Sequence, residues 1–295
     1  MKIATRLRLA AALLPLALTA APLLQAQEKL SAHWEELTGP DFIKAIHQAQ
    51  NTCILPIGIL EKHGPHLPIG SDLLNARYVA LHASEKQYAV VFPEYYFGQI
   101  AEARQEPGTV SYSRELQMAL LQATTDEMSR NGCRKILIVN AHGGNNHLLP
   151  YFLQSQLNTP HDYVVYLFDQ RVPPTGGPKK KTTNDQHAGE SETSKLMIVR
   201  PDLVHPDRAG SESGADQHRQ PLPDGVYTAI WWYAKFPDHY SGDGTAASHE
   251  LGEFQINWWV DSVAKTLAAI KADDVSLKLQ TEFFEKATHP LDTPQ

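Results

Sequence analysis

The sequence predicts an α/β sandwich with a mostly parallel sheet. Apolar runs of strand length alternate with stretches of helical apolar spacing between residues 38 and 270. Two runs, 52–60 and 135–140, are continuously apolar, which is typical of strands buried on both faces. Acidic or imidazole side chains follow both runs directly. Because ligands bind beyond the carboxyl ends of parallel strands, these side chains indicate the edge of the sheet that carries the site.

The elements follow this alternation from the amino terminus onward. A helix start is indicated where Thr38 precedes a Gly-Pro-Asp sequence, and Gly132 ends a later helix. The segment 255–270 is expected to be the final helix, with a loose tail beyond Glu285. The predicted strands are 52–60, 88–93, 135–140 and 163–167. The predicted helices begin near residues 38, 72, 113, 147, 193 and 255.

The first 26 residues are predicted to be a secretory signal peptide. A positive segment that includes Lys2 precedes an apolar run, which Pro15 and Pro22 interrupt. A membrane-spanning helix needs about 20 uninterrupted apolar residues, so no membrane contact is expected after cleavage. We therefore expect a periplasmic or secreted protein with a single domain over residues 27–295.

Composition and charge exclude nucleic acid as an expected partner. The 295 residues are 42% hydrophobic and 20% charged, with a formal net charge of −7, which is ordinary for a globular protein. The sequence has no basic stripe, and its basic cluster at 179–181 lies in a Pro/Gly-rich loop, where solvation explains it.

The two cysteines, Cys53 and Cys133, each precede an apolar run and are expected to begin strands. Two strand starts at the same edge of a parallel sheet could lie close enough to form a disulfide in an oxidising compartment. The sequence does not decide between pairing and two buried thiols, and we prefer the buried thiols.

The residues after the strands have the chemistry of metal ligands. Zinc-type ions bind histidine nitrogen and carboxylate oxygen, and catalytic sites keep a position open for water. Two such ions about 3.5–4 Å apart can share a carboxylate and hold a bridging hydroxide. His66, in the same loop, is read as a structural residue. The candidate residues are Glu61, His63, Asp72, His142, His187 and Glu192.

Four segments resemble those of the creatininase (creatinine amidohydrolase) family and come in the family's order. They are 61–72 (ExHGxHLPxxxD), 140–145 (NAHGGN), 187–194 (HAGExETS) and 241–252 (SGDGTAAS, then Gly). The resemblance implies a three-layer α/β/α sandwich and cleavage of an amide C–N bond. It also implies two divalent metal ions, with zinc expected and manganese or iron as alternatives, and a homo-oligomer such as a hexamer.

The resemblance also assigns roles to individual residues. His187 matches the family's catalytic histidine, which carries a proton to the leaving nitrogen. Glu190 is a second catalytic candidate that could assist as a base, although an acidic residue in the first turn of a helix is also favoured by the helix dipole. The implied ligands are Glu61, Asp72 and His142 for one metal and His63, Asp72 and Glu192 for the other, with Asp72 shared.

The chain departs from the family pattern at two places. Creatininase itself has a glutamate two residues after the histidine of the third-strand loop, where this chain has Gly144, so creatinine is not the expected substrate. In the loop 98–109, Ala103 and Glu106 replace a histidine and a phenylalanine that family members often carry, which indicates an altered pocket wall.

These observations predict an exported, metal-dependent amidohydrolase. It would hydrolyse a small, cyclic or linear amide with a metal-bound hydroxide. Two alternatives on the same fold stay open: a hydrolase that trims peptides, and a non-catalytic metal-binding or interaction protein. The complete set of five ligands together with His187 argues against the non-catalytic alternative.

Overall fold

The computed structural model describes residues 30–168, 175–223 and 225–295. The predicted signal peptide, residues 1–26, lies outside the described residues. The described strands are β1 (Thr52–Ile57), β2 (Val90–Val91), β3 (Lys135–Asn140) and β4 (Val164–Phe168). They form one sheet in the order β2-β1-β3-β4, and all neighbouring strands are parallel. The predicted parallel sheet is confirmed.

Helices cover both faces of this sheet. They are α1 (Gly39–Gln48), α2 (Ser71–Lys86), α3 (Arg114–Arg130), α4 (Asn145–Ser155), α5 (Glu190–Val199), α6 (Trp231–Lys235), α7 (His249–Ala272) and α8 (Ser276–Ala287). Within the described ranges, no helix has the length and apolar character that a membrane span requires.

Alternate residues of β1 belong to two separate hydrophobic clusters, which defines the three layers. Leu55 and Ile57 pack with residues of α1, α3 and α4 on one face, whereas Ile54 packs with residues of α2 and α7 on the other. Successive side chains of a strand point to opposite faces, so a strand that is apolar at every position needs cover on both. The three-layer α/β/α architecture is confirmed.

Strand lengths differ from those predicted. β1 ends at Ile57 because Gly58 lies against α2, where a Cβ atom would come 2.3 Å from the Leu73 nitrogen. The chain therefore leaves the sheet there and enters the loop that carries the candidate ligands. β2 has two residues instead of six. The Phe92 N–H donates to the Ile54 oxygen at 2.9 Å, but Pro56 of β1 has no N–H to continue this ladder, and the Phe92 oxygen accepts from Arg77 at 2.8 Å instead.

The carboxyl-terminal part contains two helices that were not predicted, α6 and α8. α7 begins at His249, because the Ser248 side chain accepts a hydrogen bond from the Leu251 N–H at 3.3 Å. α7 is not the final helix. Asp273 Oδ1 accepts hydrogen bonds from the N–H groups of Val275 and Ser276 at 2.9 and 3.0 Å, and these bonds turn the chain into α8.

Cys53 and Cys133 form a disulfide, with their Cα atoms 5.7 Å apart. Cys53 lies in β1 and Cys133 lies two residues before β3, the strand that pairs with β1. The preference for two unpaired thiols is therefore wrong. Pairing of β1 with β3, which the sequence alone did not specify, brings the two strand starts side by side.

Replacing both cysteines, Cys53→Ala with Cys133→Ala, is expected to lower the free energy of unfolding by about 2–5 kcal/mol. The bond joins residues 80 positions apart, so its loss returns considerable entropy to the unfolded chain. Thermal or urea unfolding measured by circular dichroism checks this. A reductant should shift wild type toward the double variant and leave the double variant unchanged; equal stability of both proteins would contradict the expectation.

Candidate metal centre

The candidate ligands meet at the carboxyl edge of the central strands. Glu61 and His63 lie in the loop after β1, and Asp72 lies in the first turn of α2. His142 follows β3, and Glu192 lies in the first turn of α5. Glu61, His63 and Asp72 are almost fully buried, with 1%, 1% and 3% of their surface exposed, so their charges require partners within the protein.

One group of three ligand atoms centres on His142. Its Nε2 lies 2.8 Å from the backbone oxygen of Gln99. A carbonyl only accepts, so Nε2 carries the hydrogen and Nδ1 carries a lone pair. That Nδ1 lies 2.8 Å from Glu61 Oε1 and 3.0 Å from Asp72 Oδ2. Both oxygens are buried and accept no hydrogen bond within the described part of the chain, so a proton or a metal cation must lie between these three atoms.

A second group centres on His63. Its Nδ1 lies 3.1 Å from the backbone oxygen of Glu61, which by the same reasoning leaves the lone pair on Nε2. That nitrogen lies 3.3 Å from Asp72 Oδ1 and 4.0 Å from Glu192 Oε2. Asp72 thus presents one oxygen to each group. The residues of the two ligand sets that the family resemblance implied therefore lie in one cluster, and their division between two metals stays a prediction.

Electrostatics also indicates that this cluster is built around positive charge. Burial disfavours the charged form of His63, but the carboxylates of Asp72, Glu61 and Glu192 outweigh it and raise its pKa to about 9. The carboxylates likewise raise the pKa of His142 well above its usual value against the effect of burial. Without metal, protonated His63 and His142 would balance the charge of the carboxylates, and metal binding must displace these protons from the histidines.

His187 lies beside this cluster. Its Nε2 donates to the backbone oxygen of Lys62 at 2.8 Å, which leaves the lone pair on Nδ1, 3.8 Å from Glu192 Oε2. Its ring centroid is 4.5 Å from that of His63. Nδ1 can therefore accept a proton at the border of the cluster, while the Lys62 carbonyl holds the ring in place.

His239 was not identified from the sequence and belongs to this site. Trp232 Nε1 lies 2.7 Å from His239 Nδ1. An indole nitrogen only donates, so Nδ1 accepts and the hydrogen lies on Nε2. That Nε2 donates to Glu61 Oε2 at 2.5 Å. Burial lowers the pKa of His239 to about 4, which keeps it neutral. Its one sequence signal is its position two residues before the 241–252 segment.

His239→Ala is expected to weaken metal binding or turnover about 10- to 100-fold, the usual effect of losing a residue that orients a metal ligand. Trp232→Phe should act in the same direction but less strongly, because it removes only the donor that orients His239. Metal titration and kcat measurements check both. His249→Ala, at an exposed position, is the control. Unchanged metal affinity and turnover in His239→Ala would exclude this role.

Two other polar residues of the motifs lie outside the ligand groups. Both oxygens of the buried Glu190 accept hydrogen bonds from the backbone of Lys181, and one also accepts from the Thr182 hydroxyl, at 2.9–3.0 Å. Glu190 therefore stabilises the 181–182 segment, and its catalytic role stays a prediction. His66 hydrogen-bonds to Thr193 Oγ1 at 2.8 Å, which fits the structural reading.

The two departures from the family pattern have structural consequences. A Cβ atom on Gly144 would lie 2.4 Å from His142 Nε2 and 3.0 Å from the Gln99 oxygen. Gly144 thus leaves room for the hydrogen bond that orients His142. Glu106 lies 3.3 Å from Lys62 Nζ, which also lies 2.8 Å from Glu212. The altered loop therefore holds a lysine at the position between the ligands Glu61 and His63.

A cavity of about 210 Å³ opens beside the cluster. Glu192 and His142 lie on its wall, together with the loop after β3, the start of α4 and the end of β4. The residues that line it are Asn140, Ala141, His142, Gly143, Asn145, Asn146, Leu149, Pro150, Leu167, Phe168, Glu192 and Lys195.

The family model and several of the similar proteins point to the same family. Residues 35–267 match the family model described as "Creatininase: Creatinine amidohydrolase". A mycofactocin precursor peptide peptidase of Mycolicibacterium smegmatis is 31% identical over 176 residues, which cover 56% of this chain and 65% of the peptidase. The creatinine amidohydrolase of Pseudomonas putida is 25% identical over 191 residues, 59% of this chain and 74% of that enzyme. The chain thus spans just under two thirds of the mycobacterial peptidase's length.

Solved structures show the same fold. A creatininase-like protein of Bacteroides fragilis superposes with a TM-score of 0.66 at 25% identity and covers 76% of this chain and 91% of that one. A mutant creatininase of Zn–Zn type has a TM-score of 0.65 at 22% identity, with 80% and 97% covered. A manganese creatininase has a TM-score of 0.64 at 22% identity, with the same coverage. In this chain, groups of Glu, His and Asp side chains among the described residues could hold a metal ion, which agrees with the predicted divalent ions.

Proposed function

This chain belongs to the creatininase (creatinine amidohydrolase) family of metal-dependent hydrolases, and from that premise we propose that it hydrolyses the C–N bond of a small amide. The observation that carries the proposal is the pair of imidazole lone pairs, on His63 and His142, that face buried carboxylate oxygens of Glu61 and Asp72. A cluster of this kind requires cations. It has the ligand types that divalent metals use in hydrolases.

The residues of the site have two roles, which are binding metal ions and transferring a proton. Bound divalent ions would supply a water of lowered pKa and polarise the substrate carbonyl. Nδ1 of His187 would accept a proton and return it to the leaving nitrogen, which departs poorly as an anion. The Lys62 carbonyl fixes the His187 ring, and the Ala188 N–H donates to Glu192 Oε2 at 2.6 Å and so fixes that carboxylate. The ions would be held by Glu61, Asp72 and His142, and by His63, Asp72 and Glu192.

Peptide trimming is the second candidate function. It is favoured by the mycobacterial peptidases, which are 27–31% identical to this chain, against 25% for the Pseudomonas creatinine amidohydrolase. The cavity beside the cluster favours a small molecule, since its volume of about 210 Å³ is below the roughly 300–1,000 Å³ of pockets for drug-sized ligands. We rank the small amide first on this ground, and creatinine is not the proposed substrate because Gly144 replaces the glutamate of creatininase.

Export and self-association form a further part of the proposal. The Cys53–Cys133 disulfide supports a periplasmic or secreted location, because disulfides persist in oxidising compartments. Cell fractionation and the amino-terminal sequence of the mature protein test it; a protein that retains residues 1–26 in the cytoplasm would contradict it. Self-association into a homo-oligomer is proposed from the family resemblance, and sedimentation measures it.

A substrate panel tests the reaction directly. Purified protein reconstituted with zinc or manganese is expected to bind about two ions per chain. Lactams, cyclic ureas, formamides and short peptides are then compared by mass spectrometry for addition of water. Hydrolysis confined to the small amides supports the first candidate, and cleavage of peptides alone supports the second. Failure to bind metal after reconstitution would exclude both.

A further inference from the structure

Lys195 places a positive charge on the wall of the cavity beside the metal centre. It lies on α5, one helical turn after Glu192, and its side chain lines the same cavity as Glu192 and His142. Three residues of an α-helix rise about 4.5 Å, so the lysine begins within reach of the metal ligands. It is half-buried, and its ammonium lies 5.6 Å from the centroid of the Trp259 ring.

The surroundings of Lys195 differ from those of other lysines around the site. Lys62 has two carboxylate partners, Glu106 and Glu212, and Lys180 pairs with Asp185 at 3.0 Å. No carboxylate comes within 4.0 Å of the Lys195 ammonium in residues 30–168, 175–223 and 225–295, and this includes Glu192 three residues before it. A metal ion bound to Glu192 would offset the negative charge of that carboxylate and weaken its attraction for the lysine.

The polar groups of the opposite wall do not compensate this charge. Asn145 Oδ1 accepts from the Gln99 N–H, and its Nδ2 donates to Asn140 Oδ1, both at 3.0 Å. The rest of the wall is contributed largely by apolar side chains such as Leu149, Leu167 and Phe168. A cation on a partly apolar wall is a strong point of attraction for an anion, because few competing groups lie near it.

We propose that Lys195 binds a carboxylate of the substrate and that the enzyme acts on small amides bearing a carboxylate within a few bonds of the scissile C–N bond. This inference rests on the proposed function, because it assigns the cavity beside the metal centre to the substrate. A carboxylate on Lys195 would orient the amide toward the metal ligands on the same wall. The cavity volume of about 210 Å³ favours a small substrate.

Two matched pairs of probes test this charge requirement. 5-Oxoproline is compared with 2-pyrrolidinone, and N-formylglycine with N-methylformamide; the members of each pair differ by a carboxylate. Binding to the metal-loaded protein is measured by calorimetry, and hydrolysis is measured separately. In at least one pair, wild type is expected to bind the carboxylate-bearing member at least tenfold more tightly.

Variants then assign the preference to the lysine. Lys195→Met should reduce the carboxylate preference to less than threefold and leave the affinity for the neutral members unchanged. Lys195→Arg should retain most of the preference. Lys265→Met, at an exposed position of α7 outside the cavity, should behave as wild type. This control also shows whether removing the charge of any lysine is sufficient to reduce the carboxylate preference.

The outcomes separate this inference from the proposed reaction. Absence of a carboxylate preference in wild type for both pairs, or a preference that persists in Lys195→Met, overturns the role of Lys195. Direct binding of the carboxylate to metal would give the second result. Lysine-dependent binding without hydrolysis of any probe or amide of the panel would instead refute the proposed function while the anion site stands.

Discussion

Asp72→Ala is expected to remove both metal ions and to lower hydrolysis at least about a thousandfold, because a metal-activated water is the nucleophile in such sites. Asp72 Oδ1 faces His63 Nε2 at 3.3 Å, and its Oδ2 faces His142 Nδ1 at 3.0 Å. The substitution takes one ligand from each group at once. Metal content after reconstitution, measured by plasma mass spectrometry, and kcat on the best substrate of the panel check the two effects.

The matched control for Asp72→Ala is Glu85→Gln, which removes a carboxylate from an exposed position of the same helix, α2. It should retain about two metal ions and wild-type kcat. Circular dichroism of both variants separates loss of metal from loss of fold. Retention of one ion in Asp72→Ala would show that Asp72 serves a single metal. Retention of both would show that it does not bridge.

His187→Ala is expected to retain both metal ions and to lower kcat about 10²- to 10⁴-fold, the usual contribution of a general acid or base. The nitrogen that can carry the transferred proton is Nδ1, since Nε2 is occupied by its bond to the Lys62 carbonyl at 2.8 Å. Added imidazole should restore part of kcat in this variant by entering the space that the ring leaves.

A competing role for His187 is tested by the same variant. Its ring nitrogens come within 4.8 Å of ligand atoms of His63 and Glu192, so metal coordination is geometrically open to it. Loss of one metal ion from His187→Ala would identify it as a ligand. Full metal content with wild-type kcat would exclude both roles. Only full metal content with reduced kcat fits the proton carrier.

Part of the metal centre could be predicted because Glu61, His63 and His142 lie in short segments after buried strands. Parallel strands carry their carboxyl ends to one edge, so Glu61 after β1 and His142 after β3 had to approach each other. The structure places their side chains 2.8 Å apart. The continuously apolar runs predict strands that are buried on both faces, and such strands require helices on both sides of the sheet. The three layers could therefore be predicted together with the site.

Features that depend on contacts between distant segments could not be predicted. His239 reaches Glu61 across 178 positions of sequence, and a single histidine after a short helix has no pattern of its own. The disulfide depends on which strands are neighbours, and β1 pairs with β3 rather than only with β2. Glu190 shows the opposite case: its motif position suggests chemistry, but its carboxylate is used by the backbone of Lys181 and Thr182.

Gly144 couples the loop after β3 to the segment 98–99 in this chain. A side chain at this position would disrupt the hydrogen bond from His142 Nε2 to the Gln99 carbonyl, since the added Cβ would lie 2.4 Å from that nitrogen. A glutamate at this position therefore requires His142 or the Gln99 carbonyl to shift. Gly144→Glu alone is thus expected to disturb a metal ligand before it can alter substrate specificity.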